Sequence, residues 1–230
     1  MNIEPLYRGK TKDVYATKQG KYLLKFKDEV TGTDGTFDPG ANTVGLTIAG
    51  AGKAALGLSR FFFEKLEQKG IPTHYISANL DENTMKVKPV SVFGKGLEVI
   101  CRYRAVGSFF RRYGEYITEG HPLDSLVEFT LKDDARNDPF ISEDTLEQLK
   151  ILSQKEYSIL KELTKSISSI IRDILAHKGI DLFDIKLEFG REKGSGQIIL
   201  IDEISGGNMR TFKNGKFLEP LELAKTVLNV

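Results

Sequence analysis

Residues 182–210, LFDIKLEFGREKGSGQIILIDEISGGNMR, constrain the fold of this chain more than any other stretch. The first arm alternates. Asp184, Lys186 and Glu188 project to one face and Ile185, Leu187 and Phe189 to the other, the period of two that a strand requires. Gly194-Ser195-Gly196 supplies a turn that tolerates positive φ. The second arm, 197–201, is apolar and rich in isoleucine before it meets Asp202-Glu203. The pattern predicts a β-hairpin. If it is symmetric about Ser195, Glu188 faces Asp202, and like charges opposed on a two-stranded ribbon repel. A divalent cation is the economical compensation: oxygen ligands on strands suit Mg²⁺, with the phosphates of a nucleotide completing its shell. The competing reading is two solvated carboxylates on an exposed face, and Lys186, set between two acids, weighs against it. Glu203 and Ile204 break the alternation, so a bend or bulge is expected just after Asp202.

The chain has 230 residues and a net charge of +1, enough for one large domain or two lobes around a cleft. With 33 basic and 32 acidic residues it lacks the basic excess of a nucleic-acid partner, but local lysines and arginines suit a small anionic substrate. Cys101 is the single cysteine, so no disulfide framework is possible, and three histidines argue against zinc. The N-terminus lacks the pattern of a signal sequence, and no apolar run reaches the length of a membrane span. A reducing cytoplasmic compartment is the expectation.

Residues 6–12, then VYAT and KYLLKFKDEV, read as short strands, and a turn around Gly9 lets Lys10 and Lys12 reach phosphate oxygens. Residues 31–45, TGTDGTFDPGANTVG, read as a long irregular loop in which Asp34 and Asp38 could meet a ligand. A helix is expected over 48–69. Its GAGKAALG is not a P-loop, since Ala54 follows Lys53 and Thr47 stands where the first glycine belongs. Two strands surround the turn Asp81-Glu82-Asn83, SVFGKG forms a hinge-like connector, and 97–103 form another strand. Arg102, Arg104, Arg111 and Arg112 crowd around Gly107-Ser108, a grouping suited to a phosphate or carboxylate. Residues 126–138 run from a strand into an acidic loop with Lys132, Asp133, Asp134 and Asp138. Helices follow over 142–152 and from Ser153, where Glu156 completes a capping box. Tyr157, Leu160, Leu163, Ile167, Ile170 and Ile174 make the expected core stripe, and a short helix over 220–230 closes the chain.

DIKLEFG at 184–190, with DEIS at 202–205 and Arg210 beyond, resembles the second signature of the SAICAR synthetase family, the phosphoribosylaminoimidazole-succinocarboxamide synthases of purine biosynthesis. LEVICRYRAVGS at 97–108 resembles the first signature. YRGKTKDVY, FKDEVTGTDG, KGIPTHY and LVEFTLKDDARNDP resemble further family segments, all in the family's order over residues 6–213. The resemblance implies an α+β fold. A β-rich nucleotide-binding lobe (1–92), reminiscent of protein kinases and ATP-grasp enzymes, precedes an α+β substrate- and metal-binding lobe (93–230), with ATP in the interlobe cleft. It implies an ATP- and Mg²⁺-dependent ligase that joins CAIR, an aminoimidazole carboxylate ribonucleotide, to L-aspartate, giving SAICAR, ADP and phosphate. It further implies that Lys10 and Lys12 bind the ATP phosphates, that Lys132 lines the nucleotide site, and that the backbone around Val92 contacts adenine. By the same resemblance Glu188 and Asp202 hold Mg²⁺ and Lys186 sits by the phosphates. Arg102, Ser108 and Arg210 hold CAIR, Asp138 lies near its ribose, and Asp34 lies near the imidazole or a second metal. The family is commonly oligomeric. The chain departs from it at Gly206-Gly207, where Pro-Asp is usual, at Asn137 before Asp138-Pro139, where His is usual, after Asp34, and in a shorter C-terminal region. These departures fall on the CAIR and aspartate side, which leaves a diverged ligase or small-molecule kinase as the alternative.

Overall fold

A computed structural model describes residues 4–229. It begins with strands β1 (Tyr7–Arg8), β2 (Lys12–Ala16), β3 (Tyr22–Phe26), β4 (Glu29–Thr33), β5 (Thr36–Phe37) and β6 (Val44–Thr47). Helix α1 (Ala51–Gln68) and strands β7 (Tyr75–Asn79), β8 (Thr84–Val87) and β9 (Val90–Val92) follow. Next come β10 (Leu97–Arg104), α2 (Gly107–Tyr113), β11 (Pro122–Leu131), α3 (Glu143–Gln148) and α4 (Gln154–Ala176). The chain ends with β12 (Asp181–Glu192), β13 (Ile198–Ile201), β14 (Met209–Lys213), β15 (Lys216–Phe217) and α5 (Pro220–Leu228). This is the expected α+β class.

The chain divides into two compact units. The first contains the chain up to Ser91, Gly190–Gly207 and the segment from Glu219 onward; the second contains Val92–Phe189 and Asn208–Leu218. A single cut at residue 92 would have placed the tip of the 182–210 hairpin and the C-terminal helix in the second unit. Backbone pairing and packing place them in the first. The His74 amide donates to the Leu200 carbonyl (2.9 Å) and the Leu200 amide to the Pro72 carbonyl (3.0 Å), and α5 packs along α1.

In the first unit, β1-β2-β3-β8-β7 form an antiparallel sheet. Leu56, Leu58, Phe62, Phe63 and Leu66 of α1 are fully buried. The helix starts three residues later than expected, and its N-cap, Gly50, has no capping side chain. Asp28 does that work from a distance: its carboxylate accepts the Gly50 amide (3.0 Å) and the Gly52 amide (2.9 Å), so two donors at the helix start are satisfied by one anion. Residues 31–45 are irregular only at the 34–35 turn and over 38–43. They build most of a three-stranded sheet, β5-β4-β6. Asp34 (φ 50°) and Gly35 (φ 76°) form the left-handed pair of a type I′ hairpin turn. Gly45 passes so close to Gly32 that a Cβ would stand 2.5 Å from the Gly32 carbonyl carbon. The glycines that suggested a loop are the ones that allow this strand pairing.

In the second unit, β11-β10-β12-β14-β15 form an antiparallel sheet. β12 continues past Gly190 into the first unit, where it pairs with β13. The capping box of α4 is present: the Ser153 hydroxyl accepts the Glu156 amide and the Glu156 carboxylate accepts the Ser153 amide. Its buried stripe is Leu160, Thr164, Ile167, Ile171 and Leu175. Leu163, Ile170 and Ile174 are only half-buried, so the contact line is rotated from the one that apolar spacing alone suggested. Small Thr164 and Ser168 lie on the buried side, where they let the helix lie close to β10. Gly107-Ser108 open the short helix α2, and α3 stops at Gln148, short of 152, because Lys150 turns left-handed (φ 56°).

Candidate active site

The expected like-charge opposition exists, but its partner differs. Glu188 on β12 lies directly across from Glu98 on β10. Asp202 lies beyond the ladder, because β13 ends at Ile201 and Asp202 turns left-handed (φ 66°). The hairpin turn also closes off the symmetric register, with the Glu192 amide on the Gln197 carbonyl (2.9 Å). The two buried glutamates are neutralised by lysines. Lys186 Nζ stands 2.6 Å from Glu98 Oε1, and Lys132 Nζ 2.6 Å from Glu188 Oε1. Thr130 Oγ1 donates to the other Glu98 oxygen (3.1 Å). Burial works against the Lys186 charge, but Glu98 and Glu188 outweigh it and hold this ammonium above its ordinary pKa. Asp138, half-buried, accepts the Asp133 amide (2.6 Å). Burial, followed by the charge of Glu98, pushes the Asp138 carboxyl upward.

The same sheet carries a second ionic group. Arg102 is 2% exposed. Its Nε donates to Glu128 Oε2 (2.7 Å), Nη1 to Asp184 Oδ2 (2.8 Å) and Nη2 to Ser108 Oγ (2.9 Å). The same Asp184 oxygen accepts Arg210 Nη1 (2.8 Å), and Arg112 pairs with the other Glu128 oxygen. Arg102, Ser108 and Arg210 thus converge at the start of α2, and Gly107 passes so close that a Cβ would stand 2.8 Å from Arg210 Nη1. The four arginines do not all crowd one point. Arg104 lies over the Phe183 ring (5.7 Å), and Arg111 is exposed. Sequence reasoning missed Glu98, Glu128 and Asp184 as site residues. Each alternates with apolar neighbours on a strand, but their pairing depends on a register that the sequence does not state.

The first unit holds the remaining cluster. Lys12 Nζ pairs with Asp202 Oδ1 (3.2 Å) and with Glu203, and lies 5.5 Å from the centre of the Phe26 ring. Lys10 Nζ donates to the Asn42 carbonyl (3.2 Å). Lys27, also missed, donates to the Gly9 carbonyl (2.8 Å) and so pins the turn that carries Lys10. The Ser205 hydroxyl donates to Glu203 (2.7 Å) and accepts the Gly207 amide (3.0 Å). His74 Nε2 meets the Asp202 carbonyl (3.0 Å), which requires the proton on that nitrogen and fixes the left-handed backbone of Asp202. Burial lowers the His74 pKa to about 4. Asp34 stands exposed at the tip of its I′ turn, and Val92, 44% exposed, is the first residue of the second unit. At Gly206 a Cβ would stand 3.0 Å from Pro220 Cα, so a proline there would need α5 to shift.

Among the described residues no group of three or more His, Cys, Asp or Glu is arranged to hold a metal. Glu188 of the second unit and Asp202 of the first are each a single carboxylate, an oxygen donor of the kind that suits Mg²⁺, which takes one or two protein carboxylates and completes its shell with phosphate oxygens and water.

The family model for SAICAR synthetase matches residues 5–227. The chain is 62% identical to the phosphoribosylaminoimidazole-succinocarboxamide synthase of Clostridium tetani over 228 residues, 99% of this chain and the full length of that protein. It is 37% identical to the Finegoldia magna protein of the same name, over 90% of this chain and 85% of that one. A solved structure described as SAICAR synthetase (Type-2) in complex with ADP superposes with a TM-score of 0.85 at 31% identity, covering 97% of both chains. The Ehrlichia chaffeensis enzyme gives 0.83 at 31% identity, covering 98% of this chain and 92% of its own. With this sequence, this fold and these three ionic clusters, the chain belongs to the SAICAR synthetase family, the ligases of purine biosynthesis that condense CAIR with L-aspartate at the expense of ATP.

Proposed function

We propose that the chain carries out this ligation with its three ionic clusters in distinct roles. The observation that carries the assignment is the Asp184 carboxylate gripping both Arg102 and Arg210 beside the Ser108 hydroxyl. Guanidiniums fixed by buried carboxylates form a rigid anion receptor, suited to the phosphate of CAIR. Arg210 and Ser108 face the substrate, and Arg102, enclosed by Glu128 and Asp184, orients both. Asp138, with its carboxyl raised, takes the ribose hydroxyls.

Lys10 and Lys12 take the ATP phosphates, Lys132 lines the nucleotide site and the backbone at Val92 receives adenine. An ADP complex of a relative supports ATP as the co-substrate. Glu188 and Asp202 hold Mg²⁺, which neutralises triphosphate charge when bound. A carboxylate oxygen is a poor leaving group at neutral pH, and phosphorylation of the CAIR carboxylate makes it a good one, so that the aspartate amine can displace phosphate and leave an amide. Lys186 stays charged beside Glu98 and stabilises the negative charge that shifts during transfer. Asp34 acts at the imidazole. Among the described residues no helix is long and apolar enough to cross a membrane. From membership of the purine-pathway family, and not from that absence, we place the enzyme in the cytoplasm and expect a homo-oligomer.

A coupled ADP-release assay tests the reading. Turnover is expected to need both CAIR and L-aspartate, and ADP release that depends on neither overturns it. Glu188→Gln is expected to weaken Mg²⁺-ATP binding at least tenfold, and unchanged binding removes Glu188 from the metal site.

A further inference from the structure

Five charged side chains line up along one face of the sheet in the second unit. Arg102 on β10 stands directly opposite Asp184 on β12, and Asp184 directly opposite Arg210 on β14. On the other side of Arg102, Glu128 lies two residues along β11 from Leu126, the register partner of Arg102, and so projects to the same face. Helix α2 adds the last member. Arg112 follows Ser108 by four residues, one helical turn on and on the same side of the helix. Arg112 Nη2 donates to Glu128 Oε1, while Arg102 Nε donates to Glu128 Oε2 (2.7 Å) and Arg102 Nη2 to Ser108 Oγ (2.9 Å). The order is therefore Arg210, Asp184, Arg102, Glu128, Arg112, with a cation at each end and one in the middle.

The middle cation is sealed and the end cations are not. The side chain of Arg102 is 2% exposed, that of Arg210 15% and that of Arg112 30%. Arg112 lies over the rings of Tyr113 (5.2 Å) and Phe140 (5.8 Å), which hold its planar head against Glu128. Glu128 already has Arg102 as a charge partner and Asp184 already has Arg210, so Arg112 is not needed to neutralise either acid. It brings the group to three guanidiniums against two carboxylates, an excess of one positive charge. A phosphate monoester carries about −1.5 to −2 at neutral pH, and without Arg112 it would meet a group whose charges cancel.

We propose that Arg112 is a further substrate-binding residue, which meets the phosphate of CAIR from the α2 side while Arg210 meets it from the β14 side, beside the Ser108 hydroxyl. This rests on the anion-receptor reading of Arg102, Ser108 and Arg210. Arg112 supplies the net charge that draws the phosphate in, and Glu128 with the two rings keeps its fork from folding away.

The test is steady-state kinetics of the full-length protein, with CAIR, ATP and L-aspartate varied in turn at low and high salt. Arg112→Gln is expected to raise the KM for CAIR about tenfold, more than it lowers kcat, and to leave the KM for ATP and the melting temperature as in the parent. Arg112→Lys, which keeps the charge, is expected to recover most of that loss. The CAIR KM of the parent is expected to rise with salt, and that of Arg112→Gln to rise less steeply. An unchanged CAIR KM in Arg112→Gln, an equal rise in the KM for ATP, or a lysine variant no better than the glutamine one overturns the proposal. Arg210→Gln separates it from the reading on which it rests. If Arg210→Gln raises the CAIR KM and Arg112→Gln does not, the receptor stands without Arg112; if neither does, the receptor itself falls.

Discussion

At the scale of single residues, Arg102 shows how a buried cation organises two acids that the sequence places on separate strands. Its fork reaches Glu128, Asp184 and Ser108 at once. Lysine has the same charge but a single ammonium and cannot span both carboxylates. Arg102→Lys is expected to lower stability by about 3 kcal/mol, because a buried carboxylate loses its partner, and to raise the KM for CAIR more than it lowers kcat. Unchanged melting and KM would show that the network does not position the substrate. His74 makes a different point. Its ring is buried and neutral, with its pKa lowered from 6.5 to about 4, so on acidification the unfolded chain binds a proton before the folded one does. The stability contributed by the neutral ring is present in full above pH 6.5 and is lost as pH falls from there toward 4. The loss between neutral pH and pH 5 amounts to about 2 kcal/mol. His74→Gln can still donate to the Asp202 carbonyl and does not titrate. Its melting temperature is expected to fall less than that of the parent over this range, and a parallel decline would exclude His74 as the source.

At the scale of elements, local signals marked where structure begins and packing decided which face it shows. The capping box at Ser153 and Glu156 lies within four consecutive residues, and the sequence displayed it in full. The face of α4 was harder to read, because two neighbouring apolar stripes compete and the sheet selects the one containing Thr164 and Ser168. The Thr164 hydroxyl is buried there without a hydrogen-bond partner. Thr164→Val removes that burden at nearly constant shape, so it is expected to leave the melting temperature unchanged or raise it by a few degrees. A clear drop would mean that the hydroxyl has a partner, such as bound water. The 31–45 segment failed for the opposite reason. Its Asp34-Gly35 pair is a strong hairpin signal, but the glycine content around it reads as a loop until Gly45 is seen against Gly32.

At the scale of the whole molecule, the chain builds its first unit from three separate segments and its second from two. The C-terminal helix therefore contributes to the unit that the N-terminus begins. Leu223 of α5 is fully buried, and α5 packs on α1. Leu223→Ala is expected to cost about 3 kcal/mol through the cavity it leaves, which lowers the melting temperature by about 6–12 °C for a chain of this length. Calorimetry checks this, and a shift below about 2 °C would show that α5 adds little to the unit.

The sequence by itself determined the local periodicities, the helix caps and the motif residues. Alternation marked β12, and Lys12, Glu188, Asp202, Ser108 and Arg210 stood out within signatures that need no partner to be read. Only the tertiary structure decided which charges meet. Glu188 opposes Glu98, 90 positions earlier in the chain, and not Asp202 across the turn. Asp28 caps a helix from outside it, and Asp184 joins two arginines from different strands. The physical reason is that strand register and burial are set by the summed packing of distant segments. A carboxylate costs free energy when buried, and only the completed sheet shows which cation stands beside it.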